Sequence, residues 1–191
     1  LGNGARTHYP EQVGADQLHR QGITGRGVTI AVLDTGLWQT PATAERPNGK
    51  NRISATHDAT QAEWSWFGDD CDEEEDCNQE DLDDWNGHGT HVTSIMVNSR
   101  KSVDGSYQGI APDARVVAVR AFEPDGSGTY LDVLKALDWI IRHRRTYDID
   151  ILNLSFGAPA ASHYWDDPVN LAVMEAWRRG ITVVASAGNG G

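Results

Sequence analysis

The sequence predicts an α/β fold of three layers, with helices on both faces of a mostly parallel sheet. Three observations predict it. Short β-rich apolar segments alternate with stretches of helical periodicity along the chain. The strand candidates are apolar on both sides, as strands covered by two helical layers must be. The 191 residues suffice for one full hydrophobic core.

The elements follow in order. Val28 to Leu33 is nearly all apolar and reads as a central parallel strand. Pro41 to Asp84 is rich in Pro, Asn, Gly and acids, and reads as an irregular surface insertion, at about 41–84, within a single domain covering 1–191. A linker between two domains is disfavoured, because neither side would form a complete sheet alone. Val92, Ile95 and Met96 then suggest a helix that begins near His88. Arg115 to Arg120 is the second strand. Leu131, Leu134, Leu137, Ile140 and Ile141 mark the apolar side of the next helix. Asp150 to Leu154 is the third strand. Val169, Ala172, Val173, Ala176 and Trp177 mark another helix, which Gly180 is placed to end. Ile181 to Ala185 is the fourth strand. No internal repeat interrupts this order.

The net charge of −12 is a local property. Eleven acidic residues and no basic ones lie between Asp69 and Asp84, which leaves the rest of the chain close to neutral. With a pI of about 4.8 and no basic patch, a nucleic-acid partner is not expected. No apolar run reaches the roughly 18 residues of a membrane span, so no membrane association is expected. The start, Leu1-Gly2-Asn3, has neither an initiator Met nor the pattern of a signal peptide, and reads as a processed form or an excerpt. Cys71 and Cys77 sit inside the acidic segment. They read either as a small disulfide, which implies an oxidising compartment, or as two free thiols. The acids themselves read as a solvated flap, a calcium site built from hard oxygens, or a field that attracts basic substrates.

Three segments carry chemistry. Asp34 ends an apolar strand, where open α/β sheets place their ligands, and Gly36 permits a sharp turn after it. Asp-Thr-Gly is also the string of the aspartic proteases, but that mechanism needs two such carboxylates and here only one occurs. The plain alternative is a turn cap. His88 is flanked by Gly87 and Gly89 and heads a predicted helix, a setting that suits a neutral general base. The alternatives are a surface cap or a zinc pair with His91. That pair has i, i+3 spacing and no Glu between, unlike the metalloprotease motif. Asn189 follows the last strand and, taken alone, reads as a turn residue.

Taken together, these segments resemble the subtilisin-like serine proteases. Ala31-Val-Leu-Asp34-Thr-Gly36 resembles that family's aspartate motif, and His88-Gly-Thr-His91-Val resembles its histidine motif. Asp125-Gly126-Ser127-Gly128 with Tyr130 resembles the loop that pairs with substrate backbone and lids the S4 pocket. Leu154-Ser155-Phe156-Gly157 looks like the strand that lines S1, and Ala185-Ser-Ala-Gly-Asn189 like the segment that bears the oxyanion asparagine. The resemblance implies a subtilisin-like fold truncated at its C-terminal part. It implies that Asp34 orients His88, that His88 is the general base, and that Asn189 donates to the oxyanion. Gly126, Ser127, Gly128, Ser155, Phe156 and Gly157 would clamp an extended polypeptide, and Phe122 would line S2. The residue-level alternatives stay open: a turn at 126–128, and core positions for Phe122 and Phe156.

The same resemblance implies serine endopeptidase activity without a cofactor in the chemistry, an extracellular location, and a pro-region or a C-terminal part among its partners. The family's nucleophile motif, Gly-Thr-Ser-Met, does not occur in the 191 residues, so this chain alone is expected to be inactive. The rival reading is an inactive module of the same fold that binds extended peptides. Thr40-Pro41-Ala42-Thr43 replaces the family's His-Pro-Asp, whose Asp is often a calcium ligand. Structural calcium is thus expected, if at all, at a position the sequence does not identify.

Overall fold

The computed structural model describes residues 7–61, 82–157 and 162–189. Five strands form one parallel sheet: β1 (Thr29–Asp34), β2 (Ile53–Asp58), β3 (Arg115–Arg120), β4 (Ile149–Leu154) and β5 (Thr182–Ala185), in the order β2-β3-β1-β4-β5. The helices are α1 (Tyr9–Gln12), α2 (Ala15–Arg20), α3 (Pro41–Ala44), α4 (His88–Val97), α5 (Tyr130–His143) and α6 (Pro168–Arg178). The four strands expected from the sequence are present, with ends moved by one residue at most.

Strand alternation sorts β1 and β3 onto two faces. Ile30, Val32, Val116 and Ala118 pack with Val97 of α4 and with Leu37 and Leu82. Ala31, Leu33, Val117 and Val119 pack with Val133, Ala136, Leu137 and Ile140 of α5 and with Ala176 of α6. The result is the three-layer α/β/α arrangement. The layers also carry a topological oddity. Both β2-α4-β3 and β3-α5-β4 move the chain in the same direction across the sheet, yet their helices lie on opposite faces. The two crossovers therefore have opposite hands, and one departs from the right-handed rule.

Four details differ from the sequence reading. β2 lies inside the stretch read as irregular insertion, and it pairs with β3 from Ile53↔Val116 to Asp58↔Arg120. Its sequence, Ile-Ser-Ala-Thr-His-Asp, is too polar to stand out, and its place at the sheet edge tolerates that. Leu131, in the first turn of α5, is 60% exposed, because the buried stripe runs through 133, 136, 137, 140 and 141. Trp177, at the outer side of α6, is 66% exposed. In α4 the fully buried line is Gly89, Thr93 and Val97, with Val92, Ile95 and Met96 only half-buried beside it. Cys71, Cys77 and the acids from 69 to 81 lie outside the described residues. No helix among the described residues is long and apolar enough to cross a membrane.

Candidate active site

Asp34 is the last residue of the central strand, so the sheet itself fixes its backbone. Its side chain is 4% exposed. Oδ1 accepts the Thr35 N–H at 2.8 Å and lies 2.6 Å from Nδ1 of His88. An ionised carboxylate can only accept, so this contact requires the proton on Nδ1. In the neutral ring that leaves Nε2 as the acceptor. Oδ2 of Asp34 is buried and takes no hydrogen bond from the described residues, which leaves His88 as its carboxylate's main partner besides Thr35. The His88 side chain is 46% exposed, so a ring held from below opens toward solvent.

His88 is the first residue of α4, and the structure shows why that helix starts here. Gly87, at the N-cap with φ of +89°, has no side chain with which to cap. Asp84 does so instead: Oδ1 accepts the Gly87 N–H at 2.9 Å and Oδ2 the Thr90 N–H at 2.7 Å. The Thr35 hydroxyl accepts the Gly89 N–H at 2.9 Å and donates to Asp84 Oδ1 at 2.8 Å. Three N–H groups of the first turn thus find acceptors. Burial works against ionised Asp84, but the Thr90 and Gly87 N–H groups and the Thr35 hydroxyl hold its carboxyl below the usual range. Gly89 meets the turn after β1 so closely that a Cβ there would stand 2.3 Å from the Gly36 carbonyl oxygen. Gly36 itself has φ of +131°, and a Cβ on it would stand 2.9 Å from the Leu82 carbonyl oxygen.

A hollow of about 300 Å³ opens at this pair, lined by Asp34, Thr35, Asn86, His88, Phe122, Gly126, Ser155, Phe156 and Gly157. A second hollow of about 460 Å³ shares Phe122, Gly126, Phe156 and Gly157 with it and continues past Gly128, Tyr130, Val133 and Val169. Phe122 and Phe156 form its partition, with ring centroids 5.0 Å apart. A larger hollow of about 550 Å³ lies between α1, α2 and residues 101–107. It shares no residue with the Asp34–His88 pair, and the chemistry places the site at that pair.

Most of the residues expected from the sequence converge here. Asp34, His88, Phe122, Gly126, Ser155, Phe156 and Gly157 line the first hollow, and Gly128 and Tyr130 the second. Ser127 lines neither. Its N–H donates to Asp125 Oδ1 at 2.8 Å and its carbonyl accepts the Glu123 N–H at 2.7 Å, so both groups serve the loop's own turn. Asn189 lies beyond the end of β5, exposed, and does not line the hollow at His88. Thr40 and Thr43 form the capping box of α3, so no carboxylate stands where the resemblance implies a calcium ligand. Among the described residues no group of three or more His, Cys, Asp or Glu could hold a metal ion.

Four contributors escaped the sequence reading. Thr35 and Asp84 build the floor under His88. Asn86 donates through Nδ2 to the Pro124 carbonyl at 3.0 Å and ties the histidine loop to the 123–128 loop. Asp167 caps α6 by accepting the Asn170 N–H, and it accepts the Tyr130 hydroxyl across the second hollow. The only available signal was an acid three residues before a Gly-His pair, and the acidic run around Asp84 hid it.

A profile of the subtilase family (peptidase S8) matches residues 25–191. Serine protease AprX of Bacillus subtilis is 35% identical over 176 residues, covering 90% of this chain and 35% of that protein. Minor extracellular protease Epr of Bacillus subtilis is 31% identical over 181 residues, or 95% of this chain and 23% of that protein. Subtilisin Savinase of Lederbergia lenta is 31% identical over 180 residues, or 94% of this chain and 54% of that protein. The chain thus spans between about a quarter and about half the length of these relatives.

Proposed function

Because this chain belongs to the subtilase family, we propose that it builds the aspartate and histidine side of a serine endopeptidase site, with the nucleophilic serine supplied by sequence outside residues 1–191. The observation that carries this reading is the 2.6 Å contact between Asp34 Oδ1 and His88 Nδ1 at the mouth of an open hollow.

The chemistry follows from that contact. A serine oxygen attacks the scissile carbonyl carbon while its proton passes to His88 Nε2. Asp34 stabilises the imidazolium and does not itself take the proton. The tetrahedral oxyanion receives the side-chain N–H of Asn189. His88 then protonates the leaving amine as the C–N bond breaks, and water repeats the sequence to release the acyl group. An extended polypeptide lies between the 126–128 loop and residues 155–157, and a side chain enters the aromatic hollow at Tyr130. Action outside the cell is part of the same proposal, supported by relatives such as the minor extracellular protease.

The test has two arms. The protein's full chain should cleave unfolded polypeptide, and Asp34→Asn and His88→Ala should each lower the rate by roughly 10⁴-fold or more. The isolated 191 residues should not react with a fluorophosphonate at a serine; stoichiometric labelling would show that the nucleophile lies within them. Binding of extended peptides by the full chain without turnover would favour the rival reading, an inactive peptide-binding module. For the acids that precede Asp84, a solvated flap, a calcium site and a field that attracts basic substrates all stand open, and titration calorimetry that gives no heat above buffer at millimolar calcium would remove the calcium reading.

A further inference from the structure

We propose that Asp84 is the positioning residue that seats the His88 imidazole on Asp34, acting through the Thr35 hydroxyl and the first turn of α4. The inference goes beyond the catalytic pair but rests on the functional reading above for its kinetic arm.

Asp84 is 1% exposed, and both its oxygens are engaged: Oδ1 with Thr35 Oγ1 and the Gly87 N–H, Oδ2 with the Thr90 N–H. It stands outside the helix, three residues before the N-cap, yet it performs the capping that Gly87 cannot. The first consequence is mechanical. Gly87, Gly89 and Thr90 flank His88, and their N–H groups are pinned to Asp84 and Thr35. Thr35 is bonded in sequence to Asp34. The network therefore fastens the backbone of His88 to the backbone of its carboxylate partner.

The second consequence concerns one proton. A threonine hydroxyl has a single hydrogen to give. Thr35 Oγ1 lies 2.8 Å from Asp84 Oδ1 and 3.4 Å from Asp34 Oδ1. Asp84 takes the proton because its oxygen is closer. That leaves Asp34 Oδ1 to the Thr35 N–H and to His88 Nδ1. Without the Asp84 carboxylate, the hydroxyl is free to turn toward Asp34 Oδ1 and compete with the imidazole for the same acceptor. The Nδ1–H tautomer, with Nε2 free to accept a proton, then loses its advantage.

The experiment is nitrogen-15 NMR of the imidazoles in the protein's full chain, with His88 assigned by its loss in His88→Ala. In the unaltered protein the Nδ1 and Nε2 shifts should report the Nδ1–H tautomer. In Asp84→Ala they should move toward a mixture, with kcat down about 10- to 100-fold, as small misplacements of reacting groups cost, and KM nearly unchanged. A folded Asp84→Ala protein with unaltered His88 shifts would overturn the proposal. Should that variant fail to fold, Thr35→Val against Thr35→Ser decides. Thr35→Val should disturb the His88 shifts and Thr35→Ser should restore them; equal shifts in both overturn the idea. Absence of peptidase activity in the unaltered protein would sink the functional reading alone, since the tautomer is read without turnover.

Discussion

The α-carbon of Gly89 faces the Gly36 carbonyl so closely that an alanine methyl would stand 2.3 Å from that oxygen. The helix bearing the histidine therefore rests directly on the turn that follows the aspartate. Gly89→Ala should destabilise the protein by about 2–3 kcal/mol, as overpacking of a tight contact does. It should also lengthen the Asp34–His88 contact, since the neighbouring backbone is rigid. Thermal unfolding reads the first effect and peptidase activity the second. Unchanged activity with unchanged stability would show that α4 slides freely.

The chemistry predicts graded losses. Asp34→Asn should lower kcat roughly 10⁴-fold, because an amide no longer enforces the Nδ1–H tautomer. Asn189→Ala should lower it roughly 10²–10³-fold with little change in KM, as the loss of one oxyanion donor does. A larger change in KM than in kcat would move Asn189 from the reacting centre to simple binding.

Acid should unfold the protein in a particular way. Burial opposes ionisation of Asp58, but the Arg120 guanidinium and the Thr60 hydroxyl and N–H hold its carboxyl below the usual range. Asp84 is depressed as well. A carboxyl depressed in the folded state contributes stability above its unfolded pKa of about 4, and that contribution is lost as pH falls through the folded value. Urea midpoints should therefore hold from pH 7 to about pH 5 and fall below about pH 4. Asp58→Asn should start lower and decline less steeply. Parallel curves for the two proteins would remove Asp58 from the cause.

Tyr130 and Asp167 close the aromatic hollow from opposite sides. Tyr130→Phe cuts the link from the 126–130 loop to the start of α6. KM should rise for peptides that place a bulky side chain in the 460 Å³ space, and kcat should hold. Peptides with glycine at that position should be cleaved alike by both proteins. An equal effect on both peptides would place the hollow outside the substrate path.

How far the sequence could be read depended on what each residue answers to. β1 and β3 are apolar because they are covered on both sides, and that shows in the residues themselves; β4 and β5 were legible by the same apolar pattern, although β5 lies largely exposed at the sheet edge. β2 belongs to the sheet through its neighbour β3, which its own polar sequence does not reveal. Leu131 and Trp177 kept helical spacing with the buried stripes but stand outside them, because periodicity gives a direction and not the width of the covered face. Asp34 and His88 were legible because short motifs surround them. Asp84 was not, since its role lies in backbone N–H groups that any sequence would provide. Its eleven-acid neighbourhood made it look like one more surface charge.

β1 lies at the centre of the sheet, yet both of its partners are late in the chain: Thr29 pairs with Arg115 on one side and with Ile149 on the other. The strand that ends in Asp34 thus has no local partner. It must wait for the chain to reach residue 120 before one edge can be paired, and residue 154 before the other can be. A topology dominated by such distant pairings folds slowly. The same late closure, once made, leaves no short segment that can peel away to release the aspartate. Persistence of the site in time should then be governed by how slowly the whole sheet opens, and only secondarily by the depth of its equilibrium stability.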